Sequence, residues 1–131
     1  MAFALSGDSA YLPGMGEESV IDEVQLDMIC EECGPDIVPI FTDFIADFPG
    51  YFSQLQESAA LADAWRVGRL AHQIKGSCAT FGMIRFTERL REMELEAGSG
   101  HLPSPEELTA ARGLFEESVR QVCARRPEFG S

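Results

Sequence analysis

The sequence of 131 residues has no long apolar run and few basic side chains. No stretch approaches the roughly 20 apolar residues that a helix needs to cross a bilayer. Because no basic region followed by an apolar stretch opens the chain, we expect no secretory signal and a cytoplasmic location. Ten Lys and Arg against 22 Asp and Glu give a net charge of −12. This balance argues against binding to nucleic acid or to anionic membranes, because both depend on a basic surface.

The sequence also has no apolar–polar alternation long enough to predict a β-strand, and no glycine-rich phosphate-binding loop. It has four cysteines, of which Cys30 and Cys33 have the spacing C-x-x-C. No second pair or Cys/His cluster has the spacing of zinc ligands, so we expect no metal site. Buried structural thiols are the expected role of the cysteines, and a redox pair at Cys30 and Cys33 is the alternative.

Apolar residues instead recur with the period of an α-helix from about residue 19 onwards. Residues 1–18 have glycines and a proline but no period, so we expect a flexible leader. Residues 19–124 are expected to form one helical domain, and residues 125–131 a frayed tail. Short connections favour antiparallel neighbours. The predicted fold is therefore an all-α antiparallel four-helix bundle with a short additional N-terminal helix.

Capping residues indicate where the helices begin and end. The short first helix is expected after Ser19 and to end at Gly34. Its predicted apolar face consists of Val20, Ile21, Val24 and Met28. In the second helix, Pro49 is expected to kink or break the chain before a bent continuation to about residue 60. The third helix is expected at about residues 63–80. Ser104 is the expected N-cap of the last one, with proline at its first position and glutamate at its third.

His72 lies on the third predicted helix, opposite that helix's apolar stripe. The stripe consists of Val67, Leu70, Ala71, Ile74, Cys78 and Phe81, at i, i+3 and i+4 spacing. Lys75 and Gly76 share the exposed face with His72, and Gly68 and Ala79 extend it. An exposed helical glycine costs about 1 kcal/mol relative to alanine, so this face is expected to be kept open for another protein. The alternative is a solvated histidine on a helix that tolerates its glycines.

The segment Ala71-His72-Gln73-Ile74-Lys75-Gly76-Ser77, followed by Gly82, resembles the signature of histidine-containing phosphotransfer (HPt) domains. Ala79-Thr80-Phe81-Gly82 is similar to the same segment in the phosphoacceptor domain of chemotaxis histidine kinases. The resemblance covers roughly residues 20–124 and implies the same helical bundle. It also implies a phosphorelay intermediate, in which His72 carries a phosphoryl group between the aspartates of receiver domains.

The resemblance assigns roles to the residues around His72. Lys75 would supply a positive charge to the phosphoryl group, while the magnesium ion and its acidic pocket would belong to the partner receiver domain. No cofactor is expected on this chain. Glu94 resembles the glutamate that orients the histidine ring through Nδ1 and leaves Nε2 to attack, and a solvated helical glutamate is the alternative. The expected partner-docking residues are Gly68, Arg69, Gly76 and Ala79. Trp65 is expected either to pack at the helix start or to lie at the docking rim.

The expected partners are a response regulator receiver domain, a hybrid sensor histidine kinase, or both, and the chain is expected to be a monomer. Gln73 follows His72 where autophosphorylating dimerisation domains usually carry an acidic residue, and the length leaves no room for an ATP-binding domain. We therefore expect a phosphocarrier without ATP-dependent kinase activity of its own. The alternative from another class is a helical adaptor that binds a receiver domain without transferring phosphate.

Overall fold

The computed structural model describes residues 19–130, and within this range all regular secondary structure is helical. The long helices are α2 (Ile37–Ala60), α3 (Ala64–Thr80), α4 (Ile84–Gly98) and α5 (Pro105–Arg125), preceded by the shorter α1 (Glu23–Cys33). Short 3-10 turns occupy Gly34–Asp36 and Pro127–Gly130. The predicted four-helix bundle with an additional N-terminal helix is confirmed. No helix in the described part of the chain is long and apolar enough to cross a membrane.

The core of the bundle is rich in phenylalanine. Phe48 of α2 stacks on Phe115 of α5, with ring centroids 3.6 Å apart and an interplanar angle of 8°. Phe41 meets Phe81, which follows α3, edge to face at 4.9 Å. Burying a side chain of this size contributes about 1.5–3 kcal/mol relative to leaving it exposed. The rings therefore hold α3 firmly from the side that faces away from His72.

Helix α3 has the register that its sequence predicts. All six residues of the predicted apolar stripe are buried. The carboxylate of Asp63 caps the helix by accepting a hydrogen bond from the backbone N–H of Arg66 at 3.1 Å. This cap and the buried stripe together fix which residues of α3 face solvent, and His72 is one of them.

Gly82 closes the turn between α3 and α4 for two physical reasons. Its φ of +73° lies in the left-handed region, which side chains with a Cβ rarely adopt. A Cβ at this position would also lie 2.6 Å from the backbone oxygen of Asp22. The Gly82 carbonyl accepts a hydrogen bond from the Asp22 N–H at 2.7 Å, so this turn attaches the start of α1 to the bundle.

The buried face of α1 corrects one prediction, and the continuity of α2 excludes a break at Pro49. Val24 and Met28 are exposed, and Leu26 and Cys30 form the buried face of α1 instead. Since the N-cap is Asp22, Val20 and Ile21 precede the helix and do not share its period. Helix α2 continues through Pro49 to Ala60 without a break, so the proline does not end it.

Residues 127–130 form a 3-10 turn where the sequence predicts a frayed tail. After α5 ends at Arg125, the 3-10 turn places Phe129 in the core with 6% of its surface exposed. Its ring lies 4.8 Å from that of Phe41. The capping box predicted at Ser104 and Glu107 is present. The predicted leader, residues 1–18, lies outside the described residues.

Candidate functional site

His72 projects from the middle of α3 into solvent, with 68% of its side chain exposed. It stands on the face opposite Val67 and Ile74, which are buried. Because the helix is anchored from behind and capped at Asp63, the position of the imidazole is set by the backbone rather than by an enclosing pocket. A reacting group can approach the ring directly from solvent.

Glu94 of α4 holds one nitrogen of the ring. Its Oε2 lies 2.9 Å from Nδ1 of His72. An ionised carboxylate only accepts hydrogen bonds, so in the neutral ring Nδ1 carries the proton and Nε2 has the lone pair. Within residues 19–130, Nε2 has no hydrogen-bond partner. The nitrogen with the lone pair is thus the one that faces solvent.

Lys75 binds the other oxygen of the same carboxylate. Its Nζ lies 2.8 Å from Oε1 of Glu94, and the lysine and glutamate side chains are 23% and 31% exposed. The hydrogen bond from Lys75 is the main cause that lowers the pKa of Glu94 below its usual range; partial burial opposes it and the bond from His72 adds to it. Glu94 is therefore ionised at neutral pH and bridges His72 and Lys75.

This pairing of Lys75 was missed by the sequence analysis, which assigned the lysine to the phosphoryl group alone. The signal that would have found it is the antiparallel register of α3 and α4. His72 and Glu94 lie nearly the same number of residues before and after Gly82, where the chain turns. The same holds for Gly68 and Ala97, and a Cβ built at Gly68 would lie 3.7 Å from the Cβ of Ala97.

The other predicted docking residues surround His72 on the exposed face of α3. Gly76 and Ala79 lie towards the end of the helix, and a Cβ at Gly76 would meet nothing within 4 Å. Arg69 lies towards the start, with its guanidinium carbon 5.1 Å from the centre of the Trp65 ring. The structure thus joins His72 and Lys75 through Glu94. The neighbouring residues Gly76 and Ala79 are small, so little side-chain bulk surrounds the ring.

The cysteines lie away from this site. All four are free; Cys30 and Cys78 are buried, Cys33 is exposed and Cys123 is partly buried. Burial raises the pKa of the Cys78 and Cys30 thiols, so they are weak nucleophiles. Among residues 19–130, no group of three or more His, Cys, Asp or Glu side chains is arranged to hold a metal ion.

The arrangement at His72 suits nucleophilic attack by a neutral imidazole. The neutral ring attacks through the lone pair of Nε2, which faces solvent, so no separate general base is needed. When Nε2 forms a bond to an electrophile, the ring becomes cationic. The Glu94 carboxylate, which accepts from Nδ1, is placed to offset that charge.

Comparisons with known proteins identify the family of the chain. Residues 39–125 match the family model of the Hpt domain. The phosphorelay protein LuxU of Vibrio cholerae serotype O1 is 26% identical over 83 residues, which cover 63% of this chain and 74% of that protein. LuxU of Vibrio harveyi is 26% identical over 84 residues, with the same two shares of 63% and 74%. No solved structure gives a significant match.

The matched range contains most of α2 and all of α3, α4 and α5, and hence His72, Lys75 and Glu94. Helix α1 and the 3-10 turn with Phe129 lie outside it. Because the family model matches well over half of the sequence, the chain belongs to the Hpt domain family, with a role in phosphorelay histidine phosphotransfer.

Proposed function

We propose that Nε2 of His72 receives a phosphoryl group from the aspartyl phosphate of one receiver domain and returns it to the aspartate of another. The observation that supports this proposal is the exposed ring of His72, whose Nδ1 is bound to Glu94. Only Nε2 is therefore free to react. In the forward step a P–N bond forms as the acyl P–O bond breaks, and the aspartate carboxylate leaves. The proton on Nδ1 stays where it is.

Glu94 serves this step by orienting the ring and by offsetting its new positive charge. Lys75 holds the carboxylate in place through Oε1, which leaves Oε2 directed at the imidazole. The ammonium group of Lys75 is also one helical turn from His72, so its charge favours the incoming phosphoryl group. Lys75 thus acts in two ways. It holds Glu94 in place, and its own positive charge favours the incoming phosphoryl group.

The remaining groups come from the partner. Phosphoryl transfer depends mainly on alignment and on charge stabilisation, and here the magnesium ion and an acidic pocket on the receiver domain supply most of the latter. The small residues Gly68, Gly76 and Ala79 let that domain approach the ring, and Arg69 meets its acidic rim. We further propose that the chain acts as a cytoplasmic monomer, with a response regulator or a hybrid sensor kinase as partner, and without autophosphorylation from ATP.

The test is transfer of radiolabel from phosphorylated receiver domains. Wild-type protein should acquire acid-labile, alkali-stable label, and ATP alone should give none. His72→Gln should remain folded and acquire none, because substitution of an exposed residue usually changes stability by less than about 0.5 kcal/mol. The chain has two histidines, so His101→Gln is the matched control and should be labelled normally.

Two results would contradict the proposal. Labelled His72→Gln protein would show that another residue accepts the group. A wild-type protein that binds receiver domains but never acquires label from them would instead be an adaptor, which is the alternative function. Circular dichroism of each variant shows whether loss of label reflects loss of the fold.

A further inference from the structure

Trp65 is exposed to solvent although it is the single tryptophan of the chain. It lies on α3 seven residues before His72, two turns away on the same face, and 72% of its surface is exposed. This exposure shows that Trp65 does not pack into the core at the helix start. Tryptophan is strongly enriched among the residues that dominate binding energy at protein interfaces.

A shallow groove connects Trp65 to His72. It runs between the first half of α3 and the last half of α4, and small residues form much of it. The groove is lined by Ala64, Trp65, Gly68, Arg69, Ala97 and Gly98, with His72 and Glu94 at its end. A side chain that lies in this groove would contact the indole and the phosphorylation site on one continuous surface.

The charge of α3 is opposite to that of the chain as a whole. Residues 64–80 contain no Asp or Glu, and they contain Arg66, Arg69 and Lys75 of the ten basic residues in a chain of net charge −12. Arg69 forms no ion pair within residues 19–130, whereas Arg89, Arg112, Arg120 and Arg125 each pair with a carboxylate. Arg69 lies against the Trp65 ring, so an unpaired cation and an apolar surface stand side by side.

We propose that Trp65 and Arg69 anchor the receiver domain, which inserts an apolar side chain flanked by carboxylates into this groove. The inference rests on the phosphotransfer function proposed above and specifies where the partner docks. The partner covers the groove between α3 and α4 and extends over Gly76 and Ala79, so its reactive aspartate reaches His72 between them. The anchor and the reacting atoms are thus separate parts of one interface.

The exposed apolar residues of α1 fit such a partner less well. Val24 and Met28 are also exposed, but they lie among Glu23, Asp27 and Glu31 on the same helix. Glu23 and Asp27 pair with Arg125, so among the described residues this strip offers no unpaired cation to an acidic partner, whereas Arg69 does. Of these two patches, the one on α3 has the unpaired cation, which favours docking of the receiver domain there.

Intrinsic fluorescence tests this directly, because all tryptophan emission of the chain comes from Trp65. The probe is a receiver domain that lacks tryptophan and that transfers label to wild-type protein. Its addition should shift the emission to shorter wavelength, with the same dissociation constant that calorimetry gives. A complex that forms by calorimetry without any change in emission would overturn the proposal.

Variants separate docking from chemistry. Trp65→Ala should raise the dissociation constant about tenfold or more, and Trp65→Phe should raise it less. Arg69→Glu should weaken binding at low salt and lose its effect as salt rises. The matched controls Val24→Ala and Arg120→Glu change equally exposed residues elsewhere and should bind normally. The transfer rate should stay unchanged in the two controls, because neither Val24 nor Arg120 lies near the groove or the reacting atoms.

The two levels of the proposal fail differently. If Trp65→Ala and Arg69→Glu bind the receiver as wild type does, and wild type acquires label, the docking surface is wrong and the phosphotransfer function stands. If wild-type protein acquires no label from any receiver domain, the proposed function fails and the docking inference fails with it.

Discussion

Replacing Glu94 with glutamine should slow phosphoryl transfer to His72 about tenfold while leaving the bundle folded. The variant keeps the shape of the side chain but removes the charge that accepts from Nδ1 and from Lys75. Hydrogen bonds to charged groups contribute about 1.5–3 kcal/mol, against about 1 kcal/mol for neutral ones. The difference is thus about 0.5–2 kcal/mol. Glu94 is 31% exposed, so solvent screening disfavours the upper end of that range, and about 1.4 kcal/mol within it corresponds to tenfold.

The assay is single-turnover transfer from a labelled receiver domain, followed as a function of pH. The pKa of Glu94 lies below its usual range, so the carboxylate is charged throughout neutral pH. Protonation of Glu94 therefore cannot account for any change in the ratio of wild-type to variant rates between about pH 6 and 8. The stability that the Lys75–Glu94 pair contributes is present above the unfolded-state pKa of glutamate, about 4.3, and is lost as pH falls through the lower folded-state pKa.

Nitrogen-15 NMR of the imidazole adds a readout that a purely structural role would not change. Wild-type protein should show His72 mainly with the proton on Nδ1, and Glu94→Ala should show a mixture of the two tautomers. Glu92→Gln on the same helix is the control, since Glu92 pairs with Arg89 and not with the ring. Wild-type rates and an unchanged tautomer ratio in both Glu94 variants would refute the reasoning.

A double-mutant cycle with Lys75→Ala separates the two roles of the lysine. If Lys75 acts only by holding Glu94, the double variant should be no slower than Glu94→Gln alone. If its own charge stabilises the phosphoryl group, the two losses should multiply. Because magnesium on the partner dilutes a direct effect, we expect most of the loss from Lys75→Ala to disappear when Glu94 is already replaced.

Three further predictions concern packing and stability. Gly76→Gln and its control Gly113→Gln on α5 should each raise the free energy of unfolding by up to about 1 kcal/mol, because both sites are open. Only Gly76→Gln should slow transfer, because only Gly76 adjoins His72. Phe129→Ala should lower stability in urea by about 3 kcal/mol, because its ring is buried against Phe41. Ser104→Ala should lower it by about 1 kcal/mol through loss of the α5 N-cap.

Each of these has a clear contrary outcome. Equal transfer rates for the two glycine variants would show that no partner loop passes over Gly76. A change below about 0.5 kcal/mol for Phe129→Ala would mean that the chain end frays in solution, as its sequence predicts. An unaltered unfolding midpoint for Ser104→Ala would show that the capping box does not limit the stability of α5.

The sequence predicts best those helices that have a long periodic stripe of apolar residues and a recognisable N-cap. Helix α3 combines a stripe of six apolar residues with an N-cap at Asp63, so its register and the exposure of His72 follow from the sequence. In α1 the apolar residues Val20 and Ile21 precede the cap, and counting from them gives the wrong face. Short helices offer too few turns to correct such an error.

Other features depend on neighbours far away in sequence. Phe129 is a single aromatic residue without a period around it, and its burial depends on space beside Phe41 and Phe81. The Lys75–Glu94 pair likewise depends on the register between two helices, which no local pattern fixes. Pro49 weakens α2 locally, but burial of Phe48 and Phe52 on either side keeps the helix continuous.

A carrier must accept and release its cargo with comparable ease, and the surroundings of His72 are consistent with that demand. Groups that enclosed the phosphoryl group would stabilise the loaded form and slow its release, because binding that favours one state raises the barrier to leaving it. Here one carboxylate orients the ring from the side, the core holds α3 from behind, and the front stays open at Gly76 and Ala79. The chain thus supplies position and ring charge, while the direction of transfer is left to the partner that docks.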